Sequence, residues 1–227
     1  MAKYLIHACP QRIWYVDEFL IPSMLAQGID RNNITVYNDI KKEGNLRACM
    51  SAFLAVDDNN LGTWHLQDDI IICKNFKQLT ELYDDGFVAG FSSAMYDGPG
   101  RVGPVHIQDM WFSFPCIRIP NKAARGCSEW VTKYIIGNPA YKQYWENGVN
   151  DDWAFRSYVK DYYKDSLAFN MAPNLVNHID YLIGGGTGKG KRERPVTAQY
   201  WWDDDLVHQL EARIKVWQKE KSKDGLP

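Results

Sequence analysis

The chain has 227 residues, enough to bury one good core as a single large domain. Its 26 Lys and Arg against 28 Asp and Glu leave a formal net charge of −2, which excludes a global attraction to nucleic acid or to an acidic membrane. Five cysteines (Cys9, Cys49, Cys73, Cys116, Cys127) are scattered and form no CxxC pair, which argues against a disulfide framework or zinc site and for a reducing cytoplasm. The opening MAKYLIHACP lacks the organisation of a signal peptide, and no apolar run is long enough to span a bilayer. A soluble cytosolic protein is expected. Tyr4–Ala8 reads as a first buried strand. Trp14–Gln27 has apolar residues at near-helical spacing (Trp14, Phe19, Leu20, Met24, Leu25) and Gly28 as a stop signal. Ile34–Tyr37 reads as a second strand, and Asn45–Val56 as a helix with Leu46, Cys49, Met50, Phe53 and Leu54 on one face. Thr63–Leu66 is a third strand. This β-α-β-α-β series implies a parallel sheet with ligands beyond the carboxyl ends of its strands. Pro10, Asp39 and Gln67-Asp68-Asp69 all fall at such ends.

Further on, Phe76–Tyr83 reads as a helix, Phe87–Phe91 as a strand, and Ser93–Pro104 as a Gly-rich loop. Met110–Ile119 looks like a strand pair, with helices at Ala123–Tyr134 and Asp151–Tyr163, the latter opened by acids at its N-terminus. Ile183–Pro195 is Gly-rich and basic. Its Gly185–Lys191 spacing imitates a phosphate-binding loop, but Arg192 stands where Ser or Thr must bind Mg²⁺, and no clear strand precedes it. It reads as a loop whose Lys189, Lys191, Arg192 and Arg194 can reach phosphates. Asp204–Lys221 is an amphipathic closing helix.

The most informative stretch is Thr63–Cys73, TWHLQDDIIIC. Asp68 and Asp69 interrupt a run otherwise fit for burial, and two buried carboxylates are costly unless something positive compensates them. Mg²⁺ or Mn²⁺, held in turn to the phosphates of a nucleotide, is the natural compensator. The alternative is an ordinary Asp-Asp turn between two strands, although the Gly, Pro or Asn neighbours of a turn are missing.

Three pieces in order resemble the nucleotide-sugar glycosyltransferases of the GT-A fold. QDD at Gln67–Asp69 stands where that family has its strand-terminal acid motif. NDDWAF at Asn150–Phe155 looks like its helix-opening acids beside the acceptor, and PNLVNHI at Pro173–Ile179 is similar to a segment preceding its C-terminal loop. The N-terminal block HACPQRIWYVDEFLIPSML also resembles that of small phage-encoded relatives. The resemblance implies one GT-A-like α/β domain over 1–227, with a mostly parallel central sheet. A nucleotide-sugar half at 1–92 would be followed by an irregular acceptor half at 93–183, a flexible basic loop at 184–203 and the helix at 204–227.

It also implies roles. Asp69 would be the metal ligand and Asp68 a weaker second ligand or a contact to the donor. Gln67 replaces an acid that commonly contacts the ribose, and an amide still hydrogen-bonds a hydroxyl. His178 would complete the metal shell, where a lone histidine is otherwise usually a core or surface residue. Acceptor deprotonation needs a carboxylate, and Asp152 is preferred over Asp151, either of which can instead cap the helix. Ala8, Cys9, Pro10 and Arg12 would line the nucleotide, with Asp39 accepting from uracil N3–H unless it is a turn acid. Asn45 and Arg47 are plausible nucleotide or diphosphate contacts, as is Lys189. A UDP-sugar, foremost UDP-glucose, would be the donor. A hydroxymethylated pyrimidine in phage DNA is the leading acceptor, its backbone held by Lys189–Arg194 with Lys122 and Arg125, in the host cytoplasm. Trp111, Phe112, Trp130, Trp145 and Trp153 can stack on an acceptor or simply pack the core. The alternatives are a cell-surface saccharide acceptor, a nucleotidyltransferase, disfavoured because the first turn ACPQR lacks glycines, and a silent nucleotide-sugar binding module.

Overall fold

Tyr4, Leu5 and Ile6 are all buried, so β1 (Lys3–Ala8) lies inside a sheet covered on both faces. The computed structural model describes residues 1–59, 61–83, 85–91, 103–107, 114–142, 151–170, 174–179 and 212. Strand β1 pairs in parallel with β2 (Ile34–Asn38) on one side and β3 (Gly62–Gln67) on the other, Tyr4 facing Ile34 and Trp64. The first crossover is helical over Ile13–Tyr15 (α1), widens into a π-helical turn at Val16–Leu20, and resumes at Ile21–Ala26 (α2). Pro22 lies in the first turn of α2, and the π-turn has already interrupted the hydrogen-bond ladder that its missing N–H would break. Gly28, at φ 79°, ends the helix. The second crossover is α3 (Asn45–Leu54), introduced by Gly44 at φ 86°.

Beyond β3 the sheet becomes mixed. The helix α4 (Phe76–Glu81) leads to β5 (Phe87–Ala89); then come β6 (Gly103–His106), β7 (Cys116–Pro120), α5 (Asn121–Tyr134), α6 (Asp151–Tyr162) and β8 (Leu167–Asn170). The seven strands lie in the order β2-β1-β3-β7-β5-β8-β6. The antiparallel pairs β3–β7, β5–β7 and β6–β8 make β7 and β6 the reversed strands, and β2, β1, β3, β5 and β8 share one direction. The α/β class and the mostly parallel central sheet expected from the sequence are therefore observed. Strands β6, β7 and β8, from the second half, interleave with β5 in this same sheet.

Alternation along β1 divides the core. Tyr4, Ile6 and Ala8 pack with Trp64, Leu66, Tyr15, Leu20 and Phe76 on one face. Leu5 packs with Phe53, Ile117, Ala123, Phe155 and Val159 on the other, under α3, α5 and α6. The π-turn shifts the buried stripe of the first crossover to Tyr15, Val16, Leu20, Ile21 and Met24. Leu25, expected inward, is accordingly exposed, and Trp14 and Phe19 are only partly buried. Of the strand pair expected at 110–119, the strand at Cys116–Pro120 is described and residues 110–113 fall outside the described set. The Gly-rich loop through residue 102, the basic loop at 184–203 and the closing helix, apart from residue 212, also lie outside it.

The three isoleucines leave the main sheet. The strand β4 (Ile70–Ile72) pairs antiparallel with β9 (Val176–His178), Ile70 facing His178. Cys73 N–H to the Leu175 carbonyl (2.9 Å) and Ile179 N–H to the Asp69 carbonyl (2.8 Å) extend this ladder at both ends.

Candidate active site

The bend between β3 and β4 carries Asp68 and Asp69, and both are buried, at 1 % and 5 % exposure. A bend between strands was the alternative reading of this pair, but a solvated turn acid is not what is found. Asp68 is clamped to the turn after β1. Its Oδ2 accepts from the Cys9 N–H at 2.7 Å and its Oδ1 from the Arg12 Nε–H at 2.9 Å. A second guanidinium nitrogen of Arg12 also reaches Oδ1, and a third lies 3.5 Å from Asp69 Oδ2. Burial raises the Asp68 carboxyl and Arg12 pulls it back. For Asp69 burial likewise works upward, but His178 and Arg12 win, and the carboxyl sits below its ordinary value. Burial alone would weaken the guanidinium's hold on its proton; Asp69 and Asp68 reverse this, so Arg12 stays cationic. The Tyr15 hydroxyl donates to the Ile70 carbonyl at 2.6 Å and pins the first helix to the same bend.

The pairing of β4 with β9 delivers His178 to Asp69, with Nε2 3.1 Å from Oδ1. Asp69 Oδ1 is a buried oxygen without a well-formed hydrogen bond. An anionic oxygen facing an imidazole nitrogen is a donor set that suits Mn²⁺, and Mg²⁺ through the carboxylate. These residues fit a divalent cation. Among the described residues no group of three or more His, Cys, Asp or Glu surrounds one point.

A second cluster forms where α3 and α6 begin. Asp151, the first residue of α6, is buried, and its Oδ1 accepts from Asn45 Nδ2 at 3.0 Å. Burial first, then the neighbouring Asp152 charge, push the Asp151 carboxyl up to about 7. Asp152 is half-buried, and its Oδ1 lies 3.1 Å from the Trp153 N–H.

Ala8, Cys9, Pro10, Arg12, Asp39, Gln67, Asp68 and Asp69 gather at the carboxyl ends of β1, β2 and β3, as the sequence implied. Within that group, Asp39 binds its own turn: its N–H donates to the Ala8 carbonyl at 2.9 Å and its carboxylate accepts from the Glu43 N–H at 3.0 Å. Gln67 is half-buried at the end of β3, and Arg47 is exposed on α3. Trp130 and Trp153 pack against the core. Lys189, Lys191, Arg192, Arg194, Trp111, Phe112 and Trp145 lie outside the described residues. The sequence reading missed two partnerships and one buried amide. Arg12 pairs with the acids. His7 and His65 form a 2.9 Å imidazole pair on neighbouring strands, in edge contact with Phe53. Asn177 is buried, with neither end of its amide hydrogen-bonded among the described residues. For the histidines a signal existed, since His7 and His65 interrupt strands that are otherwise apolar.

No protein-family model and no curated protein matches the chain. Solved structures do. The catalytic domain of Drosophila β1,4-galactosyltransferase 7 in complex with xylobiose is similar at 11 % identity over 92 % of this chain and 80 % of that one, with a TM-score of 0.41. A mutant of the Drosophila enzyme in complex with manganese, UDP-Gal and xylobiose is similar at 13 % identity over 85 % and 78 %, with a TM-score of 0.40. Among the described residues no helix is long and apolar enough to cross a membrane.

Proposed function

We propose that this protein is a metal-dependent glycosyltransferase that moves a sugar from a UDP-sugar, foremost UDP-glucose, to a hydroxyl acceptor with inversion. The observation that carries this reading is the meeting of Asp69 and His178, from opposite halves of the chain, at the carboxyl ends of the parallel strands. Mn²⁺ or Mg²⁺ held there would neutralise charge building on the departing diphosphate. Arg12 offsets one of the two carboxylate charges and fixes Asp68 against the β1 turn, and the more distant contact to Asp69 leaves that carboxylate as the ligand. Ala8, Pro10 and Asp39 form the edge available to the nucleobase, with Gln67 toward the ribose. The acceptor hydroxyl gives its proton to a carboxylate as its oxygen bonds the anomeric carbon and the bond to the diphosphate breaks. Burial and a carboxyl pushed up to about 7 favour Asp151 as that base in place of Asp152, which the sequence reading preferred, with Asp152 orienting the acceptor.

A hydroxymethylated pyrimidine in phage DNA remains the leading acceptor, supported by the N-terminal block and by the basic run Lys189–Arg194. A saccharide is the other candidate. A thermal-shift screen of UDP-sugars with Mn²⁺, followed by mass spectrometry of hydroxymethylated oligonucleotides and of saccharides with the best donor, tests both levels. Donor hydrolysis should require the metal and disappear in Asp69→Ala and His178→Ala. Wild-type activity retained in EDTA refutes the metal assignment. Transfer to a saccharide with no mass gain on DNA overturns the acceptor and leaves the enzyme class standing.

A further inference from the structure

Asn45 is the first residue of α3, and nothing but the Gly44 backbone precedes it as a cap. Its position at the opening of that helix suits a nucleotide contact, yet its side-chain amide is turned to Asp151, 106 residues away in the chain. We propose that Asn45 is a positioning residue for the Asp151 carboxylate, tying the start of α3 to the start of α6 and holding one carboxylate oxygen so that the other faces the reacting hydroxyl. This rests on the reading of Asp151 as the base.

The chemistry of an amide suits that task. A carboxylate accepts from the Nδ2 donors, and a neutral acid can use the amide oxygen instead, so one side chain holds Asp151 through both halves of a proton cycle. Among the described residues, the groups acting on Asp151 come from two helices. From its own helix come the Asp152 carboxylate and the backbone N–H groups of Asp151 and Asp152; from α3 come Asn45 and the buried Cys49 thiol. Asp152 and burial both oppose ionisation, whereas the Asn45 hydrogen bond favours it. Removing the amide leaves the buried carboxylate without its side-chain donor, and replacing it with a carboxylate adds a like charge at hydrogen-bond distance.

The test uses the full-length protein with Mn²⁺, UDP-glucose as donor and water as acceptor. Three quantities are read for wild type, Asn45→Ala and Asn45→Asp: the titration of Asp151 by carboxyl ¹³C NMR, the pH profile of donor hydrolysis, and UDP affinity. In Asn45→Ala the Asp151 titration and the acid limb of the profile should both move up by about one pH unit, so that hydrolysis at pH 6 falls on the order of tenfold and recovers at higher pH. Asn45→Asp should move both further, while UDP affinity stays within about twofold in each, as expected of a residue that does not touch the donor. An unmoved Asp151 titration overturns the proposal, and so does a large loss of UDP affinity with an unmoved pH profile. If Asp151→Asn still hydrolyses donor at the wild-type rate, the base assignment fails, and the NMR titration still decides whether Asn45 governs Asp151.

Discussion

Replacing Asp151 by Asn should make the protein more stable at neutral pH. The Asp151 carboxyl is pushed up to about 7 from its ordinary value of 3.8. A folded-state value above the unfolded one means that the native state holds its proton more tightly. The associated stability is therefore fully present below pH 3.8 and is lost as pH rises through 7. A difference of about three units corresponds to about 4 kcal/mol of stability forgone at pH 7.5, and to about 1 kcal/mol at pH 4.5. Asn keeps an oxygen for the Asn45 amide and removes the buried charge together with its repulsion of Asp152. Asp151→Asn should thus gain about 3 kcal/mol more at pH 7.5 than at pH 4.5. At about 2–4 °C per kcal/mol for a domain of this size, the melting temperature should rise by about 6–12 °C more at the higher pH. Differential scanning fluorimetry at the two pH values, with urea titrations alongside, measures this directly. A gain of equal size at both pH values, or a loss at pH 7.5, would refute the argument that burial of this charge is what perturbs Asp151.

Burial lowers the His7 imidazole to about 4, so its share of stability is present above pH 6.5 and lost as pH falls toward 4, an acid-labile slope opposite in sign to that of Asp151. In the Asp151→Asn background, urea unfolding should show less stability at pH 4 than at pH 7, and adding His7→Gln, which retains a nitrogen donor toward His65, should recover about 3 kcal/mol of that loss, the buried His65 keeping its own acid-labile share; an unchanged slope counts against the His7 imidazole as a source. Asn177→Leu replaces a buried amide that makes no hydrogen bond among the described residues with an apolar side chain of similar size, so unfolding should become harder by about 1–3 kcal/mol, and a destabilised variant would show that the amide is in fact satisfied in solution.

What the sequence disclosed and what it withheld divide along one physical line. Local pattern carried the parallel half of the fold. Buried residues on both faces of Lys3–Ala8, the glycine after the first crossover and the buried face of α3 (Leu46, Cys49, Met50, Phe53) are readable from neighbours a few positions apart, although Leu54, expected on that face, is exposed at the end of the helix. The same reading put Leu25 inside, because a π-turn rotates the helix by part of a turn and leaves no mark on hydrophobic spacing. Likewise, Ile70–Ile72 announced a buried strand but not its partner. Three isoleucines fit the main sheet as well as they fit β9, and only the pairing to Val176–His178 makes an acid and a histidine into neighbours. The acids themselves were conspicuous because charge in an apolar run is costly; what offsets that charge lay elsewhere in the chain. Two carboxylates and one guanidinium leave the pocket with a net charge of −1, and His178 closes it from the far half. Asp69 and His178 present an anionic oxygen and an imidazole nitrogen 3.1 Å apart, the pair on which the proposed cation site rests.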